Sequence, residues 1–430
     1  MRGESITLTG DRLFYHGIER TADIYGNIVY NDKKMHMTTE SFHYDFNTEI
    51  GSYNSLATIT SLEDKNTLTS KKGQYDSKSQ KMHFKDSVRL KNENYTMASD
   101  TLIYGMDSKI ATFHGPTDII SKNNTIYREA GVSNTETEIR SFWSNASIIT
   151  KEQTLGGDSI YYDRGKGAGE IFGNVLMRDT INKVGLSGNY GYHNELTDST
   201  AFIGAAQMMQ IDKKDTLFLK AENLTIKTDS LNTNKNIKAY REVKIYKYDF
   251  QGVCDSLVYS DMDSLMKFYI EPILWSGKNQ ITGRYIEAKS GKEDIEYLNV
   301  KKEAYIISQI DSMLYDQIKG RDINAYFDSS KINRVDVWGN GQTLYYIQNE
   351  DSLYLEANQA KCATIKISFA NDNIDQIRFL DTPTAVYKSI ASLSEGEKYF
   401  EGFQWKIALK PHKSMFKIIS IDFDNNEIIH

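Results

Sequence analysis

One short phrase returns roughly every thirty residues in this chain, and it limits the fold more than any other feature. It reads Gly10-Asp11-Arg12-Leu13-Phe14-Tyr15, then Glu40-Ser41-Phe42-His43-Tyr44, then Lys72-Gly73-Gln74-Tyr75. It returns as Ser99-Asp100-Thr101-Leu102-Ile103-Tyr104, Gly157-Asp158-Ser159-Ile160-Tyr161-Tyr162 and Cys254-Asp255-Ser256-Leu257-Val258-Tyr259. A fixed period of this length marks stacked supersecondary units. Each unit in such an array buries its apolar face against its neighbours.

The phrase alternates apolar and polar residues, as does Ile6-Thr7-Leu8-Thr9 before it, which is the pattern of a half-buried strand. Leu8 and Tyr15 are an odd number of residues apart, as are Met97 and Tyr104. A strict two-residue period sends such a pair to opposite faces. A bulge at the intervening Ser/Gly-Asp restores them to one face and bends the strand. The second half of the unit carries Gly26-Asn27, Asp86-Ser87, Gly173-Asn174, Arg241-Glu242, Glu271-Pro272 and Gly339-Asn340 at matching places. Glycine, asparagine and proline there predict a second bend. Polar clusters at 31–34, 76–79 and 122–124 predict the turns that return the chain. The expectation is several short strands per repeat with two corners.

Composition agrees with an all-β fold. The 430 residues include 28 tyrosines, only 4 prolines and 40% apolar residues, enough for a continuous core. No segment has a sustained 3.6-residue period. The chain divides into repeat runs over residues 1–126 and 154–390, with the pattern loosening after about 353. The phrase is degraded over 127–153, a degraded repeat or junction, and 391–430 forms an aromatic and basic C-terminal segment.

The net charge of −7 comes from interspersed charges, with no basic block to track phosphates, so nucleic acid is not expected as a partner. Cys254 and Cys362 read as isolated buried thiols, with a single long-range disulfide as the alternative. No apolar stretch reaches the roughly 20 residues of a membrane-spanning helix. His36 and His43 are a close pair that nothing nearby completes into a metal site. Gly165-Lys166-Gly167-Ala168-Gly169 opens no helix and reads as a hairpin loop. No catalytic constellation emerges, and neither an enzyme nor a cofactor is expected.

The phrase Ser-Asp-x-Leu-x-Tyr, followed after a turn by Gly-Asn-Val, resembles the repeats of OstA-like proteins. These include lipopolysaccharide-transport proteins of the LptA type and the soluble N-terminal domain of the LptD type. Phe400-Glu401-Gly402-Phe403-Gln404-Trp405-Lys406 resembles a closing segment of larger OstA-like members. The resemblance implies an elongated stacked β-jellyroll, a β-taco, whose apolar groove shields acyl chains. It implies a periplasmic location with any leader removed, in the periplasm proper or at the outer membrane. It also implies lipopolysaccharide or a related lipid as cargo, and end-to-end strand pairing with other such jellyrolls or with a second copy. The residues expected to line the groove are Leu8, Leu13, Tyr15, Ile24, Ile28, Tyr44, Phe84, Val88, Leu102, Tyr104, Ile160, Tyr162, Leu257 and Tyr259. The alternative is a structural or adhesive β-solenoid with a filled core and no lipid.

Overall fold

The computed structural model describes residues 7–420, apart from 32–34, 63–65, 92, 123–124, 213–214, 230–233, 292–294, 329–330, 350, 352 and 371–372. Two of the three turn clusters named above fall partly outside the described residues. Among the described residues the chain forms thirty strands and four short 3-10 turns. It divides into two compact units. The first holds the described residues up to Ile181 together with Asn189–Leu196. The second holds Asn182–Gly188 and the described residues from Thr197 onward.

The first unit is a meander of antiparallel hairpins. Lys81–Lys91, Tyr95–Gly105, Ile110–Ser121, Thr125–Asn134, Ile139–Ile149 and Gln153–Asp163 each pair with the next. The stretch at 127–153, where the phrase fades, is thus made of paired strands.

Many strands run to ten residues or more with one crease at mid-length, as in Lys81–Lys91 and Tyr95–Gly105, while others break into two short strands at the corner, as in Thr7–Thr9 and Arg12–His16. On the phrase-bearing strand Ser99 pairs with Val88 and Thr101 with Lys85, so Asp100 alone faces Asp86 and Ser87. Those two residues have φ of 65° and 59°, a left-handed pair that turns the backbone. The same left-handed pair recurs at Gly26-Asn27, Ser144-Asn145, Gly173-Asn174, Arg241-Glu242, Ile270-Glu271, Lys302-Glu303 and Gly339-Asn340. The two corners of a repeat therefore lie on one line. The Asp11 N–H donates to Gly26 O across it at 3.0 Å, and Lys71 N–H to Asp86 O at 3.1 Å. The aspartate closes the corner with its side chain as well. Asn27 Nδ2 donates to Asp11 at 2.8 Å and Asn174 Nδ2 to Asp158 at 3.0 Å.

The residue just before the corner residue sits in the crease and is small, whether the corner residue is an acid (Asp11, Glu40, Asp100, Asp158, Glu222, Asp255) or not (Lys71, Arg284, Arg321, Ala363). In the first unit it is Gly10, Thr39, Ser70, Ser99 or Gly157; in the second, Ala221, Cys254, Gly283, Gly320 or Cys362. A Cβ on Gly10 would stand 2.7 Å from Ile24, and one on Gly157 2.5 Å from Ile171. The next strand's aliphatic side chain fills that space. Both cysteines occupy this place, are buried, and are free thiols.

In the second unit Leu298, Val300, Ile323, Ala325, Val335, Val337, Ile365 and Ile367 are buried. The chain then leaves the last strand, Thr384–Ser389, and crosses the unit as a strap from Leu393 to Ile419. The strap makes no strand pairing, and buried glutamines take the place of a partner strand. Gln317 Nε2 donates to Lys398 O at 2.8 Å, while its Oε1 accepts Phe400 N–H at 2.9 Å. Gln280 does the same with Gln404 O and Lys406 N–H, both at 2.7 Å. Gln207 does so with Lys417 O and Lys417 N–H. Along the strap Phe403 meets Tyr315 edge-on, Trp405 packs tilted against the same ring, and Phe416 packs tilted against Phe218.

Candidate functional site

Residues directly opposite in an antiparallel ladder share a face, so the register of the first unit defines its interior. One wall carries Leu13–Ile24–Phe42 beside the crease, and further along Phe84–Leu102–Phe113–Gly131–Phe142–Ile160–Ile171. Two residues farther from the crease runs Tyr15–Ala22–Tyr44–Gly51–Tyr75–Met82–Tyr104–Ala111. Tyrosines thus alternate there with smaller or unbranched residues. The facing wall carries Leu8–Tyr30–Met37–Ile59–Leu68–Leu90–Met97–Ile119–Ile126–Ile148–Leu155–Met177.

Burial falls along each strand away from the crease. Val88, Met97 and Leu102 are 1%, 1% and 4% exposed, and they form one core with Met37, Leu68, Phe84 and Phe113. Tyr30, Met82, Leu90, Tyr95, Tyr104 and Ile119 pack on that core but are only partly buried. The crease is a packed hinge, and the two rims are apolar surface half in water. Polar groups at the crease satisfy one another. Tyr53 Oη and Ser70 Oγ are 2.6 Å apart, and Ser99 Oγ and Thr117 Oγ1 are 2.8 Å apart. Burial pushes the Tyr53 hydroxyl up to about 12, against the opposing effect of Ser70.

The residues expected to line a groove fall on this interior face at three depths. Ile24, Ile28, Phe84, Val88, Leu102, Ile160 and, in the second unit, Leu257 are buried near the crease. Tyr44, Tyr104, Tyr162 and Tyr259 are partly buried along the rim. Leu8, Leu13 and Tyr15 are exposed, Leu13 by 64% and Tyr15 by 59%. They belong to Thr7–Thr9 and Arg12–His16, which among the described residues pair only with Thr21–Asn31. Among the described residues no further strand covers the interior face at that edge, where Tyr15 meets Phe46 edge-on.

The second unit holds a cavity of about 460 Å³. Ile306, Ile318, Val335, Ile367, Phe369 and Ile377 form its apolar part; Lys278, Asn279, Asp316, Tyr345 and Tyr354 also line it. Burial pushes the Asp316 carboxyl up to about 7, offset in part by the Tyr346 N–H donated to it and by Lys278. Strand composition alone gives no sign of this cavity.

Two other sequence readings meet their geometry here. His43 Nδ1 lies 2.8 Å from Asp23 Oδ1, and His16 Nε2 lies 3.2 Å from Asp23 Oδ2. His43 therefore shares its neighbourhood with His16 and Asp23. The glycine cluster at 165–169 joins Gln153–Asp163 to Ala168–Asp179, with Gly167 N–H donating to Arg164 O, so it is a hairpin turn.

Residues 1–100 match the family model described as OstA-like protein. Over that stretch the chain is similar to OstA-like proteins. The OstA-like stretch contains the first three phrases and the exposed first strands. A search of curated proteins finds no match. One solved structure is LptH from Pseudomonas aeruginosa, titled the LptA homologous periplasmic component of the conserved lipopolysaccharide transport device. It aligns at 12% identity with a TM-score of 0.19, covering 34% of this chain and 96% of that one.

Proposed function

We propose that this protein is a periplasmic lipid-binding bridge that carries lipopolysaccharide, or a related lipid, towards the outer membrane. One observation supports the reading most. The interior face of the first unit presents an apolar row on each wall, buried at the crease and half-exposed at the rim, with Gly73 and Gly131 as gaps in one of them. Each acyl methylene moved from water onto such a surface gains roughly 0.8 kcal/mol. The repeated register offers the same surface at each step, which suits movement along the strands' stacking direction.

The exposed edge at Thr7–Thr9 and Arg12–His16 supports the matching proposal for partners. An unpaired edge with Leu8, Leu13, Phe14 and Tyr15 in water is a template for strand addition. Another jellyroll of the same kind, or a second copy, is the proposed occupant.

The scaffold reading has its own support in the second unit, where Leu298, Val300, Val335 and Ile365 are fully buried. Native mass spectrometry of protein purified without added lipid separates the two. Bound lipid of acylated-saccharide mass is expected. Protein of bare sequence mass from a lipopolysaccharide-producing host rejects transport in favour of a scaffold.

A further inference from the structure

The crease position before the corner residue is small in every repeat named above, and one further repeat departs from this. At Arg128-Glu129 it is an arginine. Arg128 pairs in register with Thr117, so it stands on the interior face beside the Ser99–Thr117 contact. Its side chain is fully buried. The guanidinium lies between two rings, 4.6 Å from the Phe113 centroid and 4.2 Å from that of Phe142. Among the described residues none of its three nitrogens has a hydrogen-bond partner. A buried charge without partners is costly, and a native group of this kind calls for a partner such as a water, an ion or a ligand.

The opposite wall is altered at the same repeat. Where other phrases have Leu102 and Tyr104, or Ile160 and Tyr162, this one has Gly131 and Ser133. A Cβ on Gly131 would stand 2.8 Å from Phe142 and 3.2 Å from the Arg128 side chain. The glycine leaves room for Phe142 and, beside it, for the Arg128 side chain. Ser133 leaves the rim without its tyrosine, and directly opposite it in the ladder is Arg140. Arg140 acts on Arg128 as a like charge. With burial as the larger cause, it pulls the Arg128 guanidinium down to about 9, against weaker support from Tyr95 and Asp118. Two cations thus share an interior face from which one leucine and one tyrosine have been removed.

We propose that Arg128, Arg140, Gly131 and Ser133 form an anion subsite inside the groove, which takes the phosphate of an acidic amphiphile whose chains lie along the walls. The proposal rests on the lipid-groove reading and narrows its cargo to lipids that carry a negative group. The anion enters past Ser133 and Arg140 at the rim. It reaches the edge of the Arg128 guanidinium, whose two faces are already covered by rings. Arginine suits this place because its planar fork stacks on aromatics and still donates in plane.

The test compares dipalmitoyl phosphatidate with dipalmitoylglycerol, each in nonionic detergent micelles, with inorganic phosphate as a third probe. Wild type is expected to bind phosphatidate at least about tenfold more tightly than the glyceride, a difference of about 1.4 kcal/mol. Arg128→Met is expected to bind both alike, with glyceride affinity unchanged. Ser133→Tyr rebuilds the ordinary phrase, closes the rim and keeps Arg128. It is expected to lose the same preference, and it decides the matter if Arg128→Met does not fold. Equal binding of the two lipids by wild type overturns the anion subsite and leaves the groove intact. Binding of neither lipid overturns both readings. Arg128-dependent binding of inorganic phosphate as tight as that of phosphatidate assigns the pair to a free anion and overturns the lipid subsite.

Discussion

Replacing Asp316 by asparagine should make the second unit more stable at alkaline pH and change little in acid. The Asp316 carboxyl lines the 460 Å³ cavity and accepts the Tyr346 N–H at 2.9 Å. Burial raises it from an ordinary value of 3.8 to about 7. The folded state therefore holds a proton that the unfolded chain releases between those two values. Stability from this group is complete below pH 4 and is lost as pH rises through 7. A gap of about three pH units corresponds to roughly 4 kcal/mol at 1.36 kcal/mol each. Asparagine keeps the acceptor for Tyr346 and carries no charge. Urea unfolding of both proteins at pH values from 4 to 8.5, followed by tryptophan fluorescence, measures the difference. Trp275, Trp338 and Trp405 all lie in the second unit, so the signal reports mainly on it. The variant should match wild type near pH 4 and exceed it by a few kcal/mol at pH 8. Parallel curves across the range, or a gain confined to acid, would refute the reasoning.

Three further outcomes follow from the geometry. Gln317→Leu orphans the Lys398 C=O and the Phe400 N–H, so it should cost about 1–3 kcal/mol and speed proteolysis within 393–419; an unchanged digestion pattern counts against the glutamine clamps. Gly173→Ala places a Cβ 2.0 Å from Asp158 Oδ2 at a φ of +66° and should lower stability by about 1–3 kcal/mol, read as a drop in melting temperature; no drop means the corner is slack. Burial pushes the Cys254 thiol up to about 12, so iodoacetamide should label it only after unfolding, and fast labelling in native buffer, seen as a mass shift, contradicts the packed crease.

The corner was legible in the chain because it needs two unusual things at once. An odd offset from Met97 to Tyr104 and a Gly-Asn or Asp-Ser pair on the next strand both require a bend. The corner at Lys302-Glu303 was not legible, because lysine and glutamate carry no left-handed preference of their own. There the paired strands on either side hold the backbone in place. Alternation could assign side chains to one face but could not grade their depth, which depends on distance from the crease: Leu102 is buried and Tyr104 is not. The strap was hidden for a different reason. Gln207, Gln280, Gln317 and Gln359 look like ordinary polar strand residues until a distant segment needs donors and acceptors. Arg128 was legible only once the crease position was known, because it fills a slot that elsewhere holds Gly, Ser, Thr, Ala or Cys.

The central claim is that lipid lies between the two walls of the first unit. Photo-crosslinking in cells tests it most directly, with the probe placed one residue at a time at Tyr104 and Met82 on the half-exposed rim, and at His83 and Lys85 on the outward face of the same strand. Adducts with lipopolysaccharide at Tyr104 and Met82, and none at His83 and Lys85, are the predicted result. Adducts on both faces alike, or at no position on the inner face, would contradict it.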